Sequence, residues 1–202
     1  MTAPPIPRRQ DPLIRGLVEL KERDNRAALA ALRRGLGKPA GTAPEMFPYV
    51  EPYIPVNDYA GRVDAAYLVA SLFGLHPYDS GQPDEFRSRQ QRGLGSSLAR
   101  IRRREGSTDE DEGVARRFGA ALNCDREALP THLRQLTSLL HARSPDAPID
   151  FTQLYDDIFD WDAPDRRVQR AWAAGFWRRT PATGDDAATT SEDTPTPTEE
   201  ED

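Results

Sequence analysis

Apolar residues recur along this chain at intervals of three and four, and nowhere do they alternate cleanly with polar ones over a strand's length. The first spacing lays side chains along one stripe of a helix, whereas alternation would mark a half-buried strand. Leu13, Ile14, Leu17 and Leu20 predict a helix from Asp11 to about Asp24. Asn25 is placed to cap a second, carrying Leu29, Leu32 and Leu36 and stopping at Gly35 to Gly37. A loop follows to Pro44, and Met46 to Pro55, aromatic and broken by prolines, reads as one short helical turn. From Val56 to Leu75, the residues Tyr59, Val63, Ala66, Tyr67, Ala70, Leu72 and Phe73 make a face broad enough to predict the most buried helix of the chain.

After a loop from His76 to Gln82, the same logic continues. Leu94, Leu98 and Ile101 predict a helix stopped near Gly106, and Ser107 with Glu110 has the form of a capping box for the next, carrying Val114, Phe118, Ala121 and Leu122. Asp125 would cap a longer helix with Leu129, Leu133, Leu136 and Leu140, broken at Ser144 to Pro148. Asp150 opens a helix with Phe151, Leu154, Ile158 and Phe159; Asp162, Pro164 and Asp165 would open the last, with Val168, Trp172 and Phe176. The reading is all-α, with about eight to nine helices and no fixed-period repeat. A break at 106/107 divides the chain into a flexible lead-in (1–10), an N-terminal helical bundle (11–106), a C-terminal helical bundle (107–179) and a tail (180–202).

Composition changes this picture mainly through that tail. Hydrophobic residues are 37% of the 202, and from Thr180 onward there is no Lys or Arg. A stretch of Pro, Thr, Ala, Gly, Ser and acids buries too little apolar surface to offset its ordering entropy, so the tail is expected to be disordered. It holds eight of the 33 acids and none of the 27 Lys and Arg, so the rest of the chain carries 27 minus 25, or +2, against −6 for the whole. A basic body with an acidic appendage is compatible with a nucleic-acid partner, although the average charge argues against one. Only Lys21 and Lys38 are lysines, and arginine is the better residue for bidentate phosphate contact; a GC-rich genome would produce the same bias. The single cysteine, Cys124, excludes a disulfide framework and a thiolate metal site. No apolar run approaches the ~20 residues of a membrane span, and Pro4, Pro5, Pro7, Arg8 and Arg9 interrupt any signal-peptide core. The expectation is a soluble, cytoplasmic protein.

Catalytic chemistry finds little support. His76 lies in a loop, and His132 and His141, nine apart, fall on opposite sides of one helix. No pair has metal-ligand spacing. Gly35-Leu36-Gly37-Lys38 lacks the glycine spacing and the Ser/Thr of a phosphate loop, and it follows a helix instead of a strand. Acid pairs such as Asp156/Asp157 and Asp160/Asp162 fit capping and solvation better than a metal centre, and Cys124 fits a small buried residue better than a nucleophile. Neither a catalytic residue, a metal site nor a cofactor is assigned, and the protein is not expected to be an enzyme.

The arginines are more informative. Arg100, Arg103 and Arg104 stand at i, i+3 and i+4, facing away from Leu94, Leu98 and Ile101, and with Arg102 they meet no acid until Glu105. Like charges so spaced weaken an isolated helix by a few tenths of a kcal/mol per pair, roughly, a cost that a polyanion would reverse. Arg33 and Arg34 lead into Lys38; Arg116 and Arg117 recur on the next helix, Arg134 and Arg143 on the long one. Solvated helix faces also carry charge, usually as alternating pairs, which describes Lys21, Glu22 and Arg23 better than it describes Arg100 to Arg104. No element for base reading is present, so binding would be to backbone and steeply salt-dependent.

Ala31-Leu32-Arg33-Arg34-Gly35 with Lys38-Pro39, Ala65-Ala66-Tyr67, Gly95-Ser96-Ser97-Leu98-Ala99-Arg100, Leu133 to Leu140 with Ile149-Asp150 and Leu154, and Val168-Gln169-Arg170-Ala171-Trp172 with Phe176-Trp177 occur in the order seen in the CasB family, the small subunit of the type I-E CRISPR Cascade complex. The resemblance spans about residues 13 to 178 and rests on the ordered set. It implies two small helical bundles and a non-catalytic subunit of the surveillance complex in antiviral defence. Its implied partners are other Cascade subunits, a second copy of itself, guide RNA and target DNA. By position, the residues matching the family's basic surface are Arg33, Arg34, Lys38, Arg100, Arg103, Arg104, Arg116, Arg117 and Arg143. The acidic tail is not part of that pattern. Two other classes fit the residues less well: a stand-alone helical protein-binding adaptor, and a helical metal-dependent hydrolase using Asp156, Asp157 and Asp160.

Overall fold

The structure, a computed structural model, describes residues 11–55, 59–79, 93–104 and 108–177, with 102–104 and 108–111 described by backbone alone. The described residues form nine α-helices and no strand: α1 (Pro12–Glu22), α2 (Arg26–Arg33), α3 (Phe47–Val50), α4 (Ala60–Leu75), α5 (Leu94–Arg104), α6 (Thr108–Asn123), α7 (Leu129–Arg143), α8 (Phe151–Phe159) and α9 (Arg167–Trp177). The lead-in 1–10, the 106/107 division, Ser107 of the capping box and the tail 180–202 lie outside the described residues.

Short polar side chains start the helices where their geometry allows. Asp11 accepts a hydrogen bond from the Leu13 amide, Asn25 from Ala28, and Asp150 from Gln153, each satisfying a donor that the first turn leaves open. Asp125 accepts from the Ala128 amide at 2.8 Å but caps a turn that precedes α7. The last helix begins later than Asp162 to Asp165 predict. Arg166 has φ +50°, a left-handed conformation that breaks the approach, and Asp165 accepts from the amide of Arg167, the first helical residue.

Helix α4 is the axis of the fold. Nine of its residues, from Ala65 to Gly74, are buried around its circumference, as expected of a helix that neighbours enclose on every side. It packs on α2, α8, α7, α1 and α3. Gly74 makes the α2 contact close: a Cβ there would sit 2.8 Å from Leu32 Cβ and 2.9 Å from the Arg33 nitrogen. Tyr59, predicted to join the α4 apolar face, instead precedes its first turn and is 79% exposed. The second close pair is α5 with α9, where a Cβ on Gly95 would lie 2.8 Å from the Trp172 carbonyl carbon and nearer still to its oxygen. Helices α6 and α7 pack against α5 and against each other.

One continuous cluster of buried side chains runs from Leu13 to Phe176, and Phe73 of α4 meets Phe151 of α8 edge-on at 5.1 Å. Two segments that follow helices are seamed together beside it. The Ile149 amide donates to the Tyr78 carbonyl (2.9 Å), the Phe151 amide to Asp79 Oδ1 (3.1 Å), and Ser97 Oγ to the Pro148 carbonyl (2.7 Å).

Candidate nucleic-acid interface

The basic residues divide by whether the protein already neutralises them. Arg23 pairs with Glu19 (3.2 Å), Arg26 with Asp24 (3.2 Å), Arg126 with Asp162, and Arg167 with Asp160 (3.2 Å) and Asp165 (3.3 Å). These are solvated pairs at helix ends and in turns, each worth little to stability. Arg33, Arg34, Lys38, Arg100, Arg116 and Arg117 are all exposed, and none makes an ion pair among the described residues. Exposed cations without an acid beside them keep their full charge for a partner.

Packing explains why they project. On α5, Leu94, Leu98 and Ile101 turn inward, which sends Arg100 to solvent; the side chains of Arg103 and Arg104 lie outside the described residues. On α6, Val114, Phe118 and Ala121 are buried and leave Arg116 and Arg117 outside. Because α5 and α6 pack directly on each other, these three arginines belong to one adjacent pair of helices. Arg143, in the last turn of α7, is half-buried and already has an interaction within the fold.

The second set forms around the end of α2. Arg33 and Arg34 lie where a positive charge also suits the helix dipole. The chain then turns through Gly37, whose φ of +78° suits glycine, and presents Lys38. A Cβ on Gly37 would lie 3.3 Å from Arg134 Nη1, so α7 brings a further exposed arginine to this loop. A groove of about 440 Å³ runs between the loop, α4 and the start of α7, with Lys38, Met46, Leu68 and Arg126 among its lining. Arg126 is committed to the fold, since it also donates to the Phe159 carbonyl at 2.8 Å. No local pattern connects Gly37 to Arg134; only the packing of α7 against the body does.

The groups considered for catalysis are occupied otherwise. Asp157 is fully buried and accepts from Trp172 Nε1 (2.6 Å) and Gln153 Nε2 (2.7 Å), while Asp160 pairs with Arg167. Among the described residues, no three His, Cys, Asp or Glu side chains converge to hold a metal ion. Cys124 is half-buried, and burial together with the Asp125 charge pushes its thiol pKa up, away from the reactive thiolate. Burial likewise pushes the Tyr67 hydroxyl up, helped by its 2.5 Å hydrogen bond to Glu51. Among the aromatic side chains, Phe47, Tyr53 and Trp177 are exposed and Tyr49 is half-buried. Trp161 is not: its ring packs on Trp172 and its Nε1 donates to the Cys124 carbonyl at 3.2 Å. No described helix is long and apolar enough to cross a membrane.

Comparison with known proteins gives one answer. The family model for the CRISPR-associated protein Cse2 matches residues 28–177. CRISPR-associated protein Cse2 of Thermus thermophilus is 35% identical over 154 residues, covering 75% of this chain and 79% of the relative. Among solved structures, a Cse2-family protein from Thermus thermophilus superposes with a TM-score of 0.64 at 31% identity, covering 82% of this chain and 95% of the other. CasB of M. ruber gives 0.64 at 27% identity, covering 82% and 93%. A chain of a CRISPR RNA-guided surveillance complex gives 0.61 at 30% identity, covering 82% and 89%.

Proposed function

Since this chain belongs to the CRISPR-associated Cse2 family, we propose that it is a non-catalytic subunit of a type I-E CRISPR RNA-guided surveillance complex. In that complex it holds nucleic-acid backbone and stabilises the R-loop formed when guide RNA pairs with target DNA. Its partners are other subunits of the assembly, a second copy of itself, guide RNA and target DNA. The likeness to a chain of a solved surveillance complex supports the placement. The observation that carries the reading is the set of exposed cations, Arg33, Arg34, Lys38, Arg100, Arg116 and Arg117. Among the described residues they have no counter-ion, in a fold that pairs Arg23, Arg26, Arg126 and Arg167.

Arginine at such positions neutralises phosphate wherever a strand passes, without reading bases. Sequence choice then belongs to guide pairing, the division of labour found in another RNA-guided effector. Exposed Phe47, Tyr53 and Trp177 offer rigid apolar contacts for neighbouring subunits. The reading is tested by assembling the complex with these six cations changed to Ala. R-loops should then dissociate faster, with the displaced strand more open to single-strand-specific chemical modification. An assembled variant complex with unchanged R-loop lifetime and unchanged protection would overturn it.

A further inference from the structure

The region matched by the family model ends at Trp177, the last residue of α9, and the eight tail acids all lie beyond it. Where α9 ends is specific. The Trp177 ring lies 5.5 Å from that of Phe118 on α6, and the neighbouring Phe176 ring lies 4.5 Å from it. Phe118 directly follows Arg116 and Arg117, which point outward from the same turn and make no ion pair among the described residues. The strongly acidic segment is therefore tethered beside the part of the surface that carries unneutralised arginines.

We propose that the acidic tail, residues 185–202, docks electrostatically on the α5–α6 surface at Arg100, Arg116 and Arg117 and competes there with nucleic acid. The inference rests on the backbone-binding reading above and concerns the regulation of that same surface.

Reach and charge both permit it. Asp185 is eight residues beyond Trp177, a span of at most about 29 Å at 3.3–3.6 Å per residue, which exceeds the roughly 24 Å length of α6. From Thr180 to Asp202 the charge is −8, with no Lys or Arg to offset it, against +2 for the residues before it. Arg178 and Arg179, immediately before the tail, could take up part of that charge locally and are the competing destination. A tethered polyanion acts at high local concentration, so weak pairs suffice to exclude loosely bound nucleic acid. Backbone held by guide pairing, with many phosphates presented together, would displace it. The tail thus favours the assembled target over stray nucleic acid.

Two measurements on the full chain test this. A nitroxide on Ser191→Cys, with Cys124→Ser, should broaden the amide resonances of α5 and α6, and the broadening should vanish near 1 M salt, where the screening length is about 3 Å. Changing all eight tail acids to Asn or Gln should tighten binding of a mixed-sequence single-stranded DNA at low salt. Three exposed ion pairs, each worth a factor of about two to three, give about tenfold. A scrambled tail of the same composition should behave as wild type. No broadening on α5 and α6, or broadening confined to residues around Arg178 and Arg179, would overturn the docking whatever the DNA does. Wild-type binding that the neutral tail leaves unchanged would overturn the competition while sparing the backbone-binding reading. Absence of DNA binding by both chains would instead overturn that reading, and the competition with it.

Discussion

His76 and His141 meet nitrogen to nitrogen, with Nδ1 of one 3.3 Å from Nδ1 of the other. The other ring nitrogen of the buried His76, Nε2, lies 2.7 Å from the Ala147 carbonyl oxygen. A carbonyl only accepts, so His76 Nε2 carries the proton and donates. Neutral His76 then offers Nδ1 as an acceptor, and His141, at the exposed end of α7, donates to it. The pair ties the residue that ends α4 to the last turn of α7, and the Nε2 bond ties it to the segment after α7. Sequence spacing could not reveal it, because 65 residues separate the partners.

This arrangement makes stability pH-dependent. Burial chiefly, and the nearby His141, hold the His76 pKa below its ordinary 6.5, while the Ala147 carbonyl partly offsets them. The unfolded chain therefore binds a proton more readily than the folded one. The contribution is full above pH 6.5 and is lost as pH falls below that value toward the lower folded pKa. Urea midpoints should fall between about pH 7 and about pH 5, and fall less in His76→Gln, whose amide can still donate to Ala147. Equal slopes in both proteins would remove His76 from the explanation.

Gly95→Ala should be destabilising, because its Cβ would run into the Trp172 carbonyl and force α5 and α9 apart. Overpacking of this kind costs about 1–3 kcal/mol, and backbone on the far side places this case at the upper end. Gly119→Ala on α6 meets nothing within 4 Å and should stabilise by about 0.5–1 kcal/mol, since alanine costs less entropy in a helix. Thermal unfolding of the two variants beside wild type reads both signs at once.

Asp157→Ala should cost about 3 kcal/mol or more, measured by urea unfolding. It leaves the Trp172 indole N–H and the Gln153 amide without the acceptor they now share in a buried site. Asp157→Asn keeps one accepting oxygen and should cost less. Equal, small losses would mean that the core tolerates unpaired donors at this position.

Much of the helical order was legible because it follows from local rules. Asp11, Asn25 and Asp150 each cap the helix that their positions predict, and α4 is the enclosed helix that its broad apolar face describes. The rest is decided by tertiary contact. Trp161 sits in a turn without periodicity, and its burial comes from Trp172 and the Cys124 carbonyl. Arg166 adopts its left-handed turn while Nη2 donates to the Leu122 carbonyl, 44 residues away, at 2.6 Å. For the candidate surface, the exposure of Arg33, Arg34, Arg100, Arg116 and Arg117 follows from the apolar stripes opposite them. That Arg134 joins the Lys38 loop, and that Arg126 is neutralised by Asp162, depends on distant partners.

The central claim is that these exposed arginines hold nucleic-acid backbone, and the most direct test is the salt dependence of binding. Mixed-sequence single-stranded and double-stranded DNA and RNA should be titrated with the full chain and with Arg100, Arg116 and Arg117 all changed to Ala. Each phosphate that goes unneutralised reduces the slope of log affinity against log salt by about 0.7–0.9, so the triple variant should show a slope shallower by about two to three. Its affinity should weaken alike for every sequence. An unchanged slope and affinity in the variant, or binding that discriminates between sequences, would contradict the account.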